Sequence, residues 1–218
     1  MTASMIMILI TTAVVRHEPE VTAEASAGRL VGVLLAAGAG RRAGGPKVLR
    51  VDADGTSWLL RSIAVLRDGG CEAVIVVLGC EAARARDVLV KSRKVADPMI
   101  TVVEAPDWEQ GMGSSLRSGL LAAGSASWRA VLVHLVDLPD VTAEVVSRLI
   151  RQAPPGTASL ARATYAGRPG HPVLIGRDHL ESIMVGLAGD SGAKDYLAHH
   201  GAHSVECGDL ASGQDYDT

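Results

Sequence analysis

Leu30-Val31-Gly32-Val33-Leu34-Leu35-Ala36-Ala37-Gly38-Ala39-Gly40-Arg41-Arg42-Ala43-Gly44-Gly45-Pro46-Lys47 begins as an unbroken apolar run and dissolves into glycines and cations. A continuous run of this length, closed by glycine, suits a strand buried on both faces of a sheet. Ala73–Leu78, Ile100–Val103 and Ala130–Val136 repeat the pattern. Between these runs, Ser57–Arg67, Cys80–Val90, Ser114–Ala123 and Thr142–Ala153 read as helices. Thr142 is placed to cap the last of them, with Glu144 in its first turn. Beyond Pro154-Pro155-Gly156 the pattern predicts strands at Thr157–Thr164 and Pro172–Ile175, joined by the turn-rich Tyr165–Gly170. Short helices at Arg177–Gly186 and Gly192–His200 and a last strand at Ala202–Glu206 complete it. Strand and helix in alternation predict an α/β fold, a Rossmann-like three-layer α/β/α sandwich around a mostly parallel sheet.

Composition agrees. A chain of 218 residues buries roughly 70% of its unfolded surface and sustains a core without staples. The hydrophobic fraction is 48%, the charged fraction 21%, and aromatics make up 3% with no Phe. That core is therefore aliphatic. A formal charge of −3 and the scarcity of stacking rings argue against nucleic acid as a partner. Cys71, Cys80 and Cys207 form no metal or disulfide spacing and read as thiols in a reducing compartment. The apolar stretch Met5–Val15 is too short to span a bilayer and lacks the basic start of a signal peptide. Residues 1–28 are expected to be an extension, 29–218 one domain, and the location cytoplasmic.

The glycine loop carries the chemistry. Glycines admit a ligand close to the backbone, successive N–H groups form an anion nest, and Arg41, Arg42 and Lys47 add charge. Two phosphate motifs nearly match. Gly38-x-Gly40-x-x-Ala43 echoes the dinucleotide fingerprint, whose third small residue must lie in a starting helix. Gly44-Gly45-Pro46 forbids that helix. Gly40 to Lys47 echoes the P-loop, but Pro46 interrupts it and Val48 replaces its hydroxyl residue. The loop is thus predicted to hold phosphate without a helix behind it.

Asp137-Leu138-Pro139 follows the strand Ala130–Val136. A carboxylate there overlooks the crevice where open α/β sheets bind ligands. Position alone leaves two readings open, a turn aspartate before Pro139 or a ligand for Mg²⁺. The segment Trp108–Leu120 holds Gly111-Met112-Gly113-Ser114-Ser115, and spacing alone describes an ordinary helix capped by Ser114.

With Leu35-Ala36-Ala37-Gly38, Arg42, Gly44 and Lys47 in this order, the chain resembles the MobA-like nucleotidyltransferases of nucleotide-sugar and molybdenum-cofactor type. Gly111-Met112-Gly113-Ser114-Ser115-Leu116, Gly170-His171-Pro172-Val173-Leu174 and Gly189-Asp190-Ser191-Gly192-Ala193 resemble segments of the molybdopterin cytidylyltransferase branch. The resemblance implies the nucleotide-diphospho-sugar transferase fold, with CMP passing from CTP to a molybdopterin-type acceptor and pyrophosphate leaving. It implies that Leu35, Ala36, Ala37, Gly38, Arg41, Arg42, Lys47, Gly111, Met112, Gly113, Ser114 and Ser115 bind nucleotide. Arg42, Lys47 and Asp137 are the implied catalytic residues. Asp137 and Asp217 would hold Mg²⁺, with Asp215 in support, and His171 would line the acceptor pocket; a core histidine or an acidic tail is the plain alternative for His171 and Asp217. A molybdenum hydroxylase apoenzyme is the implied partner. GTP, a sugar-phosphate acceptor or a non-catalytic binding role remain open, and Leu138 departs from the Gln more usual in this branch.

Overall fold

The computed structural model describes residues 29–41, 44–124, 126–187 and 192–215. The extension 1–28, Arg42, Gly189, Asp190, Ser191 and Asp217 lie outside them. Seven strands form one sheet: β1 (Leu30–Ala36), β2 (Ala73–Leu78), β3 (Ile100–Glu104), β4 (Ala130–Leu135), β5 (Leu160–Tyr165), β6 (Arg168–Gly176) and β7 (His203–Glu206). Their order is β3-β2-β1-β4-β6-β5-β7, and β6 alone runs against its neighbours. The helices are α1 (Trp58–Asp68), α2 (Ala82–Lys91), α3 (Met112–Gly124), α4 (Ala143–Gln152), α5 (Arg177–Gly186) and α6 (Lys194–His199).

Alternation along the strands splits the core in two. Leu30, Leu34, Val74, Val76 and Leu132 pack with α1, α2 and α4 on one face. Val31, Val33, Ile75, Val77, Val131 and Val133 pack with α3, α5 and α6 on the other. All seven residues of β1 are buried, which explains its continuous apolar run. Each fully buried Val or Leu stabilises by roughly 1.5–3 kcal/mol. Gly119 sets how closely α3 approaches, since a Cβ there would stand 2.6 Å from Val33 Cγ1. The chain moves outward from β1 through β2 to β3, then returns to lay β4 on the other side of β1. That reversal leaves a crevice at the carboxyl ends of β1 and β4.

Four sequence expectations need correction. Ile100–Val103 reads as a central strand, yet β3 is the sheet edge and exposes Thr101 and Glu104. Tyr165–Gly170 reads as a long turn, yet β6 begins at Arg168. Only Ala166 and Gly167 make the turn, both at positive φ, as a tight hairpin requires. Thr142 holds the N-cap position of α4 without a side-chain cap bond. Ser114 lies within α3, where its carbonyl accepts from Ser118 Oγ, because α3 starts at Met112 immediately after Gly111. Ser57 does cap α1, accepting from Leu60 N.

His134 on β4 is wholly buried, and neither ring nitrogen has a hydrogen-bond partner among the described residues. Burial drives its pKa down to about 3, with His171 a lesser cause. An unfolded histidine titrates near ~6.5, so below that pH the unfolded chain takes the proton first and stability falls with pH. His134→Leu is expected to flatten the stability loss between pH 6.5 and 4 without destabilising the protein at pH 7.5, measured by urea unfolding across that range. His171 leaves a residual slope.

Candidate active site

The crevice holds a cavity of about 460 Å³. One wall is the end of β1 and the glycine loop, Leu35 to Arg41. The opposite wall is Leu135, Val136 and Asp137 at the end of β4, and the start of α3 closes a third side. Gly40 shapes the loop. Its φ is +57°, and its carbonyl accepts from Gly45 N at 3.0 Å. A Cβ at Gly40 would stand 1.9 Å from the Gly45 carbonyl oxygen, so only glycine fits. After Pro46 the chain makes a single 3-10 turn, Lys47–Leu49, rooted by buried Val48. No α-helix follows Pro46 directly among the described residues, as the proline predicts.

That turn aims Lys47 across the cavity. Its Nζ donates to Asp137 Oδ2 at 2.9 Å, with the side chains 11% and 21% exposed. Val136 N donates to Leu35 O one step beyond β4, and Val136 and Leu138 are both buried. Asp137 is thereby turned toward the cavity between two anchored neighbours. A partly buried, charge-assisted bond of this kind is strong.

Nine of the nucleotide-binding residues named from sequence line the cavity: Leu35, Ala36, Ala37, Gly38, Arg41, Lys47, Gly111, Met112 and Ser115. Gly113 and Ser114, though in the first turn of α3, are not among the lining residues. His171 does not line it either. His171 instead sits where β6 bulges beside β5, with a cis peptide bond to Pro172. Burial lowers its pKa to about 4 against the opposing pull of Asp137, so its ring is neutral at pH 7. Trp108 and Glu109 line the cavity unforeseen. Trp108 closes on Gly79 at the end of β2, where a Cβ would meet the indole at 2.6 Å. One of three tryptophans standing next to Gly-Met-Gly was the available signal.

The C-terminal segment is tied to the same loop. Asp140 Oδ2 accepts from Ser212 N and Ser212 Oγ, each at 2.6 Å, and Gly213 packs on the Tyr165 ring. This leads the chain to Asp215, which is exposed. Among the described residues no group of three or more metal-binding side chains forms. Asp137 on the cavity wall beside the glycine loop still fits a divalent ion such as Mg²⁺, which binds through one or two carboxylates and the phosphates it accompanies.

A family model described as MobA-like NTP transferase domain matches residues 32–205. The chain belongs to this family. Nicotine blue oxidoreductase of Paenarthrobacter nicotinovorans is 34% identical over 197 residues, spanning 87% of this chain and 92% of its own. Rv0371c of Mycobacterium tuberculosis H37Rv matches with a TM-score of 0.68 at 29% identity, covering 88% of this chain and 94% of that one. A structure of Rv0371c in complex with manganese matches at 0.59 and 25% identity, covering 82% and 88%. As a MobA-like NTP transferase, the chain places its glycine loop and Asp137 at the β1–β4 switch point. Among the described residues no helix is long and apolar enough to cross a membrane.

Gly40→Ala is expected to weaken nucleoside triphosphate binding tenfold or more, because the loop must open to admit a Cβ. Calorimetric titration measures the affinity, and a thermal melt close to wild type separates this from misfolding.

Proposed function

We propose that this protein transfers CMP from CTP to a molybdopterin-type acceptor, releasing pyrophosphate. The observation that carries the reading is the Lys47–Asp137 contact, which joins a cationic glycine cradle to a strand-end carboxylate in one cavity. The Gly111–Leu116, Gly170–Leu174 and Gly189–Ala193 segments support the cytidylyltransferase branch and the acceptor. The location is taken as the cytoplasm, and a molybdenum hydroxylase apoenzyme as the recipient of the product.

A phosphate monoester is already ionised at neutral pH, so the attacking oxygen needs no general base. Alignment and charge neutralisation therefore supply the rate. The backbone of Ala37 to Gly40 cradles the triphosphate, while Lys47 and Arg41, with Arg42 as a further candidate, offset the charge gathering on the leaving pyrophosphate. Gly111 and Met112 present the start of α3, whose unpaired N–H groups favour oxygen acceptors. A divalent ion held by Asp137, with Asp217 as second candidate ligand, would polarise the α-phosphate as a Lewis acid. The manganese complex of Rv0371c supports a divalent ion at this fold. His171, kept neutral by burial, is the residue this reading assigns to the acceptor.

A second reading follows from the oxidoreductase relative. There the loop would hold the pyrophosphate of a dinucleotide cofactor, and Asp137 would not be required for turnover. The loop runs into a 3-10 turn rather than a helix, which favours the transferase reading.

Pyrophosphate release with purified molybdopterin and each of CTP, GTP, ATP and UTP tests the proposal. CTP is expected to be preferred, and Asp137→Asn to cut turnover about 10²- to 10³-fold with CTP affinity largely kept. Preference for GTP or for a sugar phosphate acceptor would reassign the substrates. Oxidation of a reduced nicotinamide by a quinonoid dye, unaffected by Asp137→Asn, would establish the second reading, and triphosphate binding without any turnover would indicate a non-catalytic role.

A further inference from the structure

A row of side chains crosses the sheet on the α3 face. Ile75 of β2 lies opposite Val33 of β1, Val33 opposite Val133 of β4, and Val133 opposite Val173 of β6. All four are buried in the same apolar cluster. The next position in the row, opposite Val173 on β5, is Arg162. Leu160 belongs to this cluster, while Ala161 and Ala163 belong to the other face, so alternation puts the arginine on the α3 side. Its Nε is buried without a hydrogen-bond partner among the described residues. Leaving such a donor unpaired costs about 1–3 kcal/mol, and an orphan of this kind in a native core calls for an explanation.

The surroundings supply one. Between the pairs Arg162–Val173 and Thr164–Pro169, two steps along β5 face four along β6. The surplus residues bulge out of the ladder with His171 among them, and bulges re-aim side chains beside active sites. His171 lies within electrostatic reach of both Asp137 and Arg162. The carboxylate follows β4, the imidazole lies on β6 and the guanidinium on β5, three neighbouring strands of the sheet. Arg162 and His171 are absent from the walls of the nucleotide cavity, whereas Asp137 is one of them.

We propose that Arg162 is the anchor for the acceptor substrate, pairing with an anionic or carbonyl group of the acceptor remote from its reacting phosphate. This rests on the transferase reading above. A guanidinium suits the role because its planar fork stays charged and pairs with oxyanions and carbonyls while partly buried. It selects the second substrate and leaves the first to the glycine loop.

Arg162→Leu is the decisive variant, because leucine continues the apolar row and removes the orphan donor. It is expected to melt at or above the wild-type temperature, to bind CTP with wild-type affinity, and to raise the KM for molybdopterin at least tenfold. Arg162→Lys is expected to fall between the two. An unchanged molybdopterin KM in Arg162→Leu, or equal losses toward CTP and molybdopterin, would overturn the proposal. If the wild-type protein releases no pyrophosphate from any triphosphate, the transferase reading fails by itself. Equilibrium binding of molybdopterin to wild type and Arg162→Leu then decides on Arg162: weaker binding by the variant upholds the anchor, and equal binding removes it.

Discussion

Lys47 and Asp137 are ninety positions apart in sequence, and their contact organises the site. It exists because β4 returns to pair with β1, which brings the residue after β4 level with the loop after β1. The loop contributes a cation because Pro46 stops helix formation and the short turn after it swings Lys47 inward. Each partner holds the other at low exposure. Two opposite charges are therefore stationed together on the cavity wall, and neither has to be ordered when ligand arrives.

The two halves of the sheet do different work. On the β1–β2–β3 side the glycine loop, Trp108 and the start of α3 wall the cavity. On the β6–β5–β7 side the single reversed strand carries a hairpin to the same edge. That hairpin is clasped by Glu206, which accepts from the backbone N–H of Ala166 and Gly167 and from the Thr164 hydroxyl. The N–H of Gly167 leads the bonds that hold its carboxyl below the usual range. Tyr165, in turn, donates to the His171 carbonyl at 2.6 Å. With Asp140 binding Ser212, the hairpin, the β4 loop and the C-terminal segment are fastened together. That side of the molecule is thereby built from three distant stretches of chain.

Much of this was legible in order along the chain. Ala73–Leu78 and Arg177–Gly186 are found where continuous apolarity and helical spacing put them, because buried strands and amphipathic helices write their periods into the residues themselves. The loop was readable for the same local reason: Pro46 and the glycines forbid a helix whatever surrounds them. Errors arose where neighbours decide. Ile100–Val103 has the apolarity of an interior strand but lies at an edge. Ser114 has the chemistry of a cap but falls inside a helix that Gly111 releases two residues earlier. Arg162 carried no local mark of its role.

What the sequence by itself determined is therefore most of the strands and the glycine loop that Pro46 keeps from running into an α-helix, since these follow from backbone restriction and short-range apolar patterning. Only the tertiary structure decided that β4 lies beside β1, that Lys47 meets Asp137, and that an arginine ends an apolar row near a bulge. Those facts depend on strand order and cross-strand register. Both are set by how distant segments bury their surfaces against one another, and no local stretch of residues encodes them.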